Sequence, residues 1–96
     1  MRNPTQKRES LIDVVVDICK EKLRKKIKNK IDNGVNPYSA YDQVVKKFKL
    51  DELVILTYDI EAEKANLSES LDLMPKEIEK MRDRIEKNLL EALTTS

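Results

Sequence analysis

The sequence predicts an all-α fold, a small bundle of four to five helices, and its composition gives three reasons. One Gly and three Pro in 96 residues are too few turn residues for an all-β domain. Lys, Glu and Leu are frequent, and all three are good helix formers. The apolar fraction of 40% is enough for a modest core. That core must be mostly aliphatic, because the chain has one Phe, three Tyr and no Trp.

Charge is distributed unevenly, although the formal net charge is only +1. Residues 1–50 carry 13 Lys or Arg against 6 Asp or Glu, and residues 51–96 carry 6 against 12. The two halves are expected either to attract each other or to face different partners. The length suits one domain, residues 1–96. We divide it into a flexible tail (1–8), a basic helical half (10–50) and an acidic helical half (51–94).

Ser10 is expected to cap the first helix, which we place at residues 11–33. The β-branched run 11–18 would by itself suit a strand, but the apolar residues that follow recur every four positions, which favours a helix. These residues are Cys19, Leu23, Ile27 and Ile31. The pair Asn33-Gly34 predicts a left-handed helix end.

Two further helices are expected in the middle of the chain. Asn36-Pro37 indicates an N-cap followed by the first helical residue, and this short helix gathers on one face Tyr41, Val44, Val45 and Phe48. The next helix begins near Asp51, and its expected core residues are Leu53, Val54, Leu56 and Tyr58. It either stops before Asn66, which forms a capping pair with Glu69, or continues as one bent helix over residues 51–71.

The last helix is expected to open at Pro75. Its apolar residues are spaced by three, four, four and four positions, which is strong evidence for an amphipathic helix. They are Ile78, Met81, Ile85, Leu89 and Leu93.

The chain lacks the residues that most active sites need. It has no His and one Gly, which removes the usual general base, the commonest zinc ligand and the glycine-rich phosphate loops. Cys19 is expected to be a buried apolar residue rather than a nucleophile. We therefore predict a protein that is not an enzyme and that uses no cofactor or metal.

The sequence also predicts a cytoplasmic protein without membrane contact. No apolar run approaches the roughly 20 residues that span a bilayer, and the N-terminus has no apolar signal core. A single Cys fits a reducing compartment.

The stretch LSESLDLMPKEIEKMRDRIEKNLLEAL, residues 67–93, resembles the promoter-reading helix-turn-helix of bacterial sigma factors, their region 4. Upstream, VILTYDIE at residues 54–61 is similar to the V-L-x-L-R-Y-x-E of the family. The resemblance covers residues 50–93 approximately, so the acidic half is expected to be helix-turn-helix-like. Corresponding positions are held by Leu67, Glu69, Leu71, Leu73, Ile78, Arg84, Leu89 and Leu93.

This resemblance implies a transcription-associated protein that contacts duplex DNA, RNA polymerase or both. Asp72 would occupy the turn between the two helices, where a residue tolerant of positive φ is needed. Pro75 would set the first turn of the recognition helix, with Met74 as a poor cap before it. The side chains expected to contact DNA are Lys76, Lys80, Arg82, Arg84 and Lys87.

A second candidate is the basic segment of the first helix, which contains one acidic residue, Glu21. It is either a phosphate-binding face for nucleic acid, or a solvated surface that docks on the acidic half. No aromatic residues interleave it, which argues against single-strand stacking. The segment comprises Lys20, Lys22, Arg24, Lys25, Lys26, Lys28 and Lys30.

The alternative function is a helical interaction protein without nucleic-acid binding, such as a dimer, an adaptor or an inhibitor. The apolar run at residues 11–18 is richer than one helix face requires. A protein partner or a second copy of the chain would bury the excess.

Overall fold

The computed structural model describes residues 4–66 and 73–94, and within these ranges it contains helices and no strand. The predicted all-α bundle is confirmed. The elements in chain order are helix α1 (Pro4–Asp32), helix α2 (Pro37–Tyr41), one π-helical turn (Asp42–Lys46), helix α3 (Leu50–Lys64) and helix α4 (Pro75–Thr94).

The N-terminal boundary of α1 differs from the expectation. The helix begins at Pro4, so Ser10 lies inside it and does not cap it. Residues 4–8, which we expected in a flexible tail, belong to this helix. Pro is well suited to a first helical turn, and no further Gly or Pro follows before residue 34. A single Ser within a helix has too small a cost to end it.

The C-terminus of α1 is built as predicted. Gly34 has φ +92°, the left-handed conformation in which Gly has no Cβ penalty. Its N–H donates to the Ile31 carbonyl at 3.0 Å, and the Val35 N–H donates to the Lys30 carbonyl at 3.0 Å. These two bonds form a Schellman motif, which satisfies carbonyls that the helix end leaves unpaired.

The short α2 confirms its predicted cap and its buried face. The Asn36 side chain accepts a 2.9 Å hydrogen bond from the Tyr38 N–H, and Pro37 is the first helical residue. In the π-helical turn that follows, each backbone hydrogen bond spans five residues instead of the four of an α-helix. Of the four residues expected on one face, Tyr41, Val44 and Val45 are buried and Phe48 is half-buried.

The core residues of α3 were predicted only in part. Val54 and Tyr58 are buried as expected, but Leu56 is 59% exposed and Thr57 is buried instead. Two residues span about 200° of helix, so Leu56 lies on the side opposite Val54. Helix α3 ends at Lys64, which excludes a continuous helix over residues 51–71.

The end of α3 is followed by Asn66 in a left-handed conformation, φ 55°. A helix N-cap has extended backbone, so this geometry belongs to a helix end and not to the expected cap. Glu69 and the expected first helix-turn-helix positions, Leu67 to Asp72, lie outside the described residues.

Helix α4 has the predicted buried stripe. Met81, Ile85 and Leu89 are buried, whereas Ile78 and Leu93 are half-buried. Met74, expected to be a poor cap, has no side-chain oxygen, but its N–H donates to Glu77 Oε1 at 3.2 Å. This contact is one half of a capping box.

Helix α1 packs against α2, the π-helical turn, α3 and α4. The Cys19 thiol approaches the Thr57 hydroxyl (3.6 Å) and the Leu53 carbonyl (3.9 Å). Two turns further along α1, Lys26 Nζ lies 4.1 Å from the centre of the Phe48 ring, just before α3 begins. As residue numbers rise along α1, the residues that they contact have lower numbers, so α1 and α3 are antiparallel.

Replacing Leu23 with Ala tests the importance of the α1 stripe. Leu23 is fully buried, and deleting a buried Leu side chain costs about 2–5 kcal/mol. We expect a loss of this size in the free energy of unfolding measured by urea denaturation. The exposed Lys25→Ala variant is the control and should change it by less than about 0.5 kcal/mol. Equal effects of the two variants would contradict this packing.

Candidate nucleic-acid interface

The five α4 residues expected to contact DNA are all exposed, but they do not share one face. At about 100° per residue, Lys76, Lys80 and Lys87 lie opposite the buried stripe. Arg82 and Arg84 lie on the two flanks of the helix instead. The structure therefore separates the three lysines from the two arginines.

Both arginines already contact carboxylates. An Arg84 guanidinium nitrogen lies 3.0 Å from Asp13 Oδ1 on α1, and Arg82 Nε lies 3.1 Å from Glu86 Oε1. The hydrogen bond to Glu86 raises the pKa of Arg82 above its ordinary value. The partners in both pairs keep part of their surface in water, and exposed ion pairs contribute about 0–1 kcal/mol. Arg84 therefore helps to hold α4 against α1, but only weakly.

The outward side of α4 has a mixed charge. Asp83 projects from the same side of the helix as the three lysines, and Glu79 lies beside it, also exposed. Carboxylates near phosphates oppose binding, because affinity for nucleic acid depends mainly on cations that neutralise phosphates. This side of α4 is a weaker phosphate site than its lysines alone suggest.

The basic segment of α1 is also divided. Lys22, Lys25 and Lys28 are exposed and make no ion pair within the described part of the chain. Two others pair locally, Lys20 with Asp17 at 3.6 Å and Arg24 with Glu21 at 4.0 Å. The remaining two, Lys26 and Lys30, lie towards the π-helical turn.

Lys26 and Lys30 join a basic surface that the sequence did not reveal. Lys26 stacks on the Phe48 ring, and Lys30 Nζ donates to Gln43 Oε1 at 3.0 Å. Both lysines line an open groove of about 410 Å³, and Phe48 also lines a second groove of about 330 Å³. Two carboxylates, Asp51 and Glu52, also line the second groove. We call the cations of the two grooves the Phe48 surface: Lys26, Lys30, Lys46, Lys47, Lys49 and Arg82.

Three of these cations come from the junction between the π-helical turn and α3. Lys46 pairs with Asp42 and Lys49 pairs with Glu52, each at 3.6 Å and each highly exposed. Lys47 makes no ion pair with any residue that the structure describes. The signal for them in the sequence is the run Lys-Lys-Phe-Lys at residues 46–49, but its neighbours on α1 and α4 become visible only in the fold.

The Phe48 surface is suited to holding phosphate groups rather than to catalysis. Five of its six cations are exposed and Lys30 is half-buried, and exposed local ion pairs are weak enough for a phosphate to displace. Within the described ranges, no cluster of three or more Cys, Asp or Glu is placed to hold a metal ion. None of the helices described is long and apolar enough to cross a membrane.

Cys19 carries the one thiol of the sequence, and its side chain is fully buried between α1 and α3. Burial raises the pKa of its thiol, although the hydrogen bond with Thr57 and the charge of Lys22 act in the opposite direction. Because the thiolate is the reactive form, both its burial and its raised pKa make it a poor nucleophile. Cys19 acts as a core residue.

Comparison with known proteins gives no match: no protein family, no curated protein and no solved structure is similar to this chain. The resemblance to sigma region 4 therefore stays a prediction.

The reactivity of Cys19 tests its burial. At pH 8 we expect the native thiol to react with an aromatic disulfide reagent roughly tenfold or more slowly than the same chain in urea, because only the exposed thiolate reacts. The absorbance of the released thiolate measures both rates. Equal rates would show that the thiol is accessible and that the α1–α3 contact is open in solution.

Proposed function

We propose that this chain binds duplex DNA through the Phe48 surface and acts as a transcription-associated regulator. The observation that carries the proposal is that six cations from α1, the π-helical turn, the junction before α3, and α4 line two grooves that share Phe48. They outnumber the two carboxylates there, Asp51 and Glu52. Cations that the fold brings together repel one another and do not stabilise it. A bound polyanion would neutralise them together.

The type of nucleic acid follows from the side chains of the surface. Proteins that bind single strands stack successive bases on several aromatic residues. The Phe48 surface has one aromatic ring, which is half-buried and already covered by Lys26. This favours contacts to the phosphate backbone of a duplex over contacts to unpaired bases.

The role in transcription rests on the resemblance of about residues 50–93 to sigma region 4. In the sigma arrangement α4 would be the recognition helix, and Lys76, Lys80 and Lys87 on its outward side would contact DNA in place of the Phe48 surface. The Phe48 surface and the α4 lysines are thus two candidate DNA surfaces within one function, and substitutions separate them.

The first experiment compares two triple variants in duplex binding. We expect Lys46→Gln, Lys47→Gln and Lys49→Gln together to weaken binding and to lower the dependence of log K on log salt by about 0.9 for each phosphate that is no longer neutralised. The matched control carries Lys76→Gln, Lys80→Gln and Lys87→Gln on α4 and should bind nearly normally. Fluorescence anisotropy between about 50 and 200 mM salt measures both.

Three results of that experiment are decisive. If only the α4 variant loses affinity, α4 is the DNA-reading element and the Phe48 surface is not. If neither variant loses affinity, the binding site lies elsewhere. If the unmodified chain does not bind a duplex at the lowest salt concentration, DNA binding itself is refuted.

The second experiment tests the link to transcription. A tagged chain expressed in its native host should recover RNA polymerase from nuclease-treated lysate, because the resemblance implies a direct protein contact. Mass spectrometry identifies the recovered subunits. Recovery that disappears on nuclease treatment would mean that DNA bridges the two, and no recovery would remove the polymerase from the proposal.

A further inference from the structure

An apolar patch lies on the side of the molecule away from α4, along the outer edge of the α1–α3 pair. Val14 of α1 is 43% exposed, and Leu56 and Ile60 of α3 are 59% and 42% exposed. Ile18 of α1 is half-buried beside them. A cluster of exposed aliphatic side chains marks an interaction site more often than scattered ones do.

These four residues are neighbours because α1 and α3 are antiparallel. Cys19 contacts Thr57. Because the helices run in opposite directions, a residue one turn before Cys19 on α1 lies beside a residue one turn after Thr57 on α3. Val14 then lies level with Ile60, and Ile18 lies level with Leu56. At about 100° per residue, all four lie on the outer side of the contact marked by Cys19 and Thr57. We call Val14, Ile18, Leu56 and Ile60 the seam.

Charges of opposite sign flank the seam on its two helices. The exposed charged residues on the outer side of α3 are acidic, namely Glu52, Asp59 and Glu63. On α1 the seam is followed by Lys22 and Lys25, with Glu21 among them. Asp17, beside Val14, pairs with Lys20, so the α1 side is basic only beyond Ile18. The surface is therefore complementary to itself where Lys22 and Lys25 of one copy can meet Glu52 of another.

We propose that the seam is the interface of a homodimer. A two-fold axis parallel to the helices packs α1 of one copy against α3 of the other. This rotation does not change the height of a residue along the axis. Ile18 then meets Leu56 of the second copy, Val14 meets Ile60, and Lys22 and Lys25 come near Glu52. Each helix in the resulting four-helix bundle is antiparallel to its neighbours, which is the common arrangement of such bundles.

The size of the seam sets the strength of the dimer. Helix α3 has 15 residues and is about 22 Å long, and two helices are about 20 Å across, so the flat footprint is roughly 450 Å². A standard interface buries roughly 800 Å² on each partner. The dimer is therefore expected to be weak and concentration-dependent.

The test is sedimentation equilibrium of the full chain over a wide range of concentrations. We expect the mass to rise from 11.2 kDa towards twice that value, and the Leu56→Asp, Ile60→Asp double variant to remain monomeric. The controls are Ile55→Asp and Leu90→Asp, which alter exposed aliphatic residues away from the seam and should leave dimerisation unchanged. Circular dichroism confirms that each variant is helical.

Charge exchange tests the orientation of the two copies. Lys25→Glu and Glu52→Lys should each weaken the dimer, and the chain that carries both should recover it, because the exchanged pair attracts again across the interface. A monomer at every concentration, an intact dimer in the seam variant, or no recovery in the exchanged chain would overturn the proposal. Glu52 lines the second groove beside Phe48 and pairs with Lys49, so the exchange variants are measured without DNA. The Leu56→Asp, Ile60→Asp variant tests the dimer without altering the Phe48 surface.

Discussion

Burial of one stripe of α1 is the constraint on which the rest of the structure depends. Cys19, Leu23 and Ile27 are spaced by four residues and are all buried, and every other described helix packs on α1. At about 1.5 Å per residue, its 29 residues reach about 43 Å, long enough for α3 to pack along it and for α2 to fold back from its end. The remaining helices are placed by this one stripe.

The same packing decides which residues of α1 face outward. Lysines that flank the stripe near its C-terminal end, Lys26 and Lys30, come against the π-helical turn and join the Phe48 surface. Aliphatic residues on the opposite side near its N-terminal end, Val14 and Ile18, are not needed by the core. One helix therefore contributes to two separate surfaces, because its apolar residues cover more of its circumference than its neighbours can bury.

Local signals were predictable from the sequence, and non-local ones were not. The Asn36 cap, the Gly34 end and the α4 stripe each depend on residues within a few turns, so their patterns predicted them correctly. Ser10 failed as a cap because a favourable cap does not force a helix to begin where good helix formers precede it. Leu56 failed because an apolar run does not show which of its residues face the core. The convergence of Lys46–Lys49 with Lys26 required the fold.

Among the described residues, the charge asymmetry of the chain is cancelled only locally, by the pair between Lys49 and Glu52 at the boundary of the two halves. The ion pair between α1 and α4 takes its carboxylate, Asp13, from the basic half and its cation, Arg84, from the acidic half, which is the reverse of what mutual attraction of the halves would give. In the proposed dimer the two-fold axis keeps each residue at its own level, so both Phe48 surfaces lie at the same end. One duplex that reaches both would gain affinity from two linked contacts, and dimerisation and DNA binding would then reinforce each other.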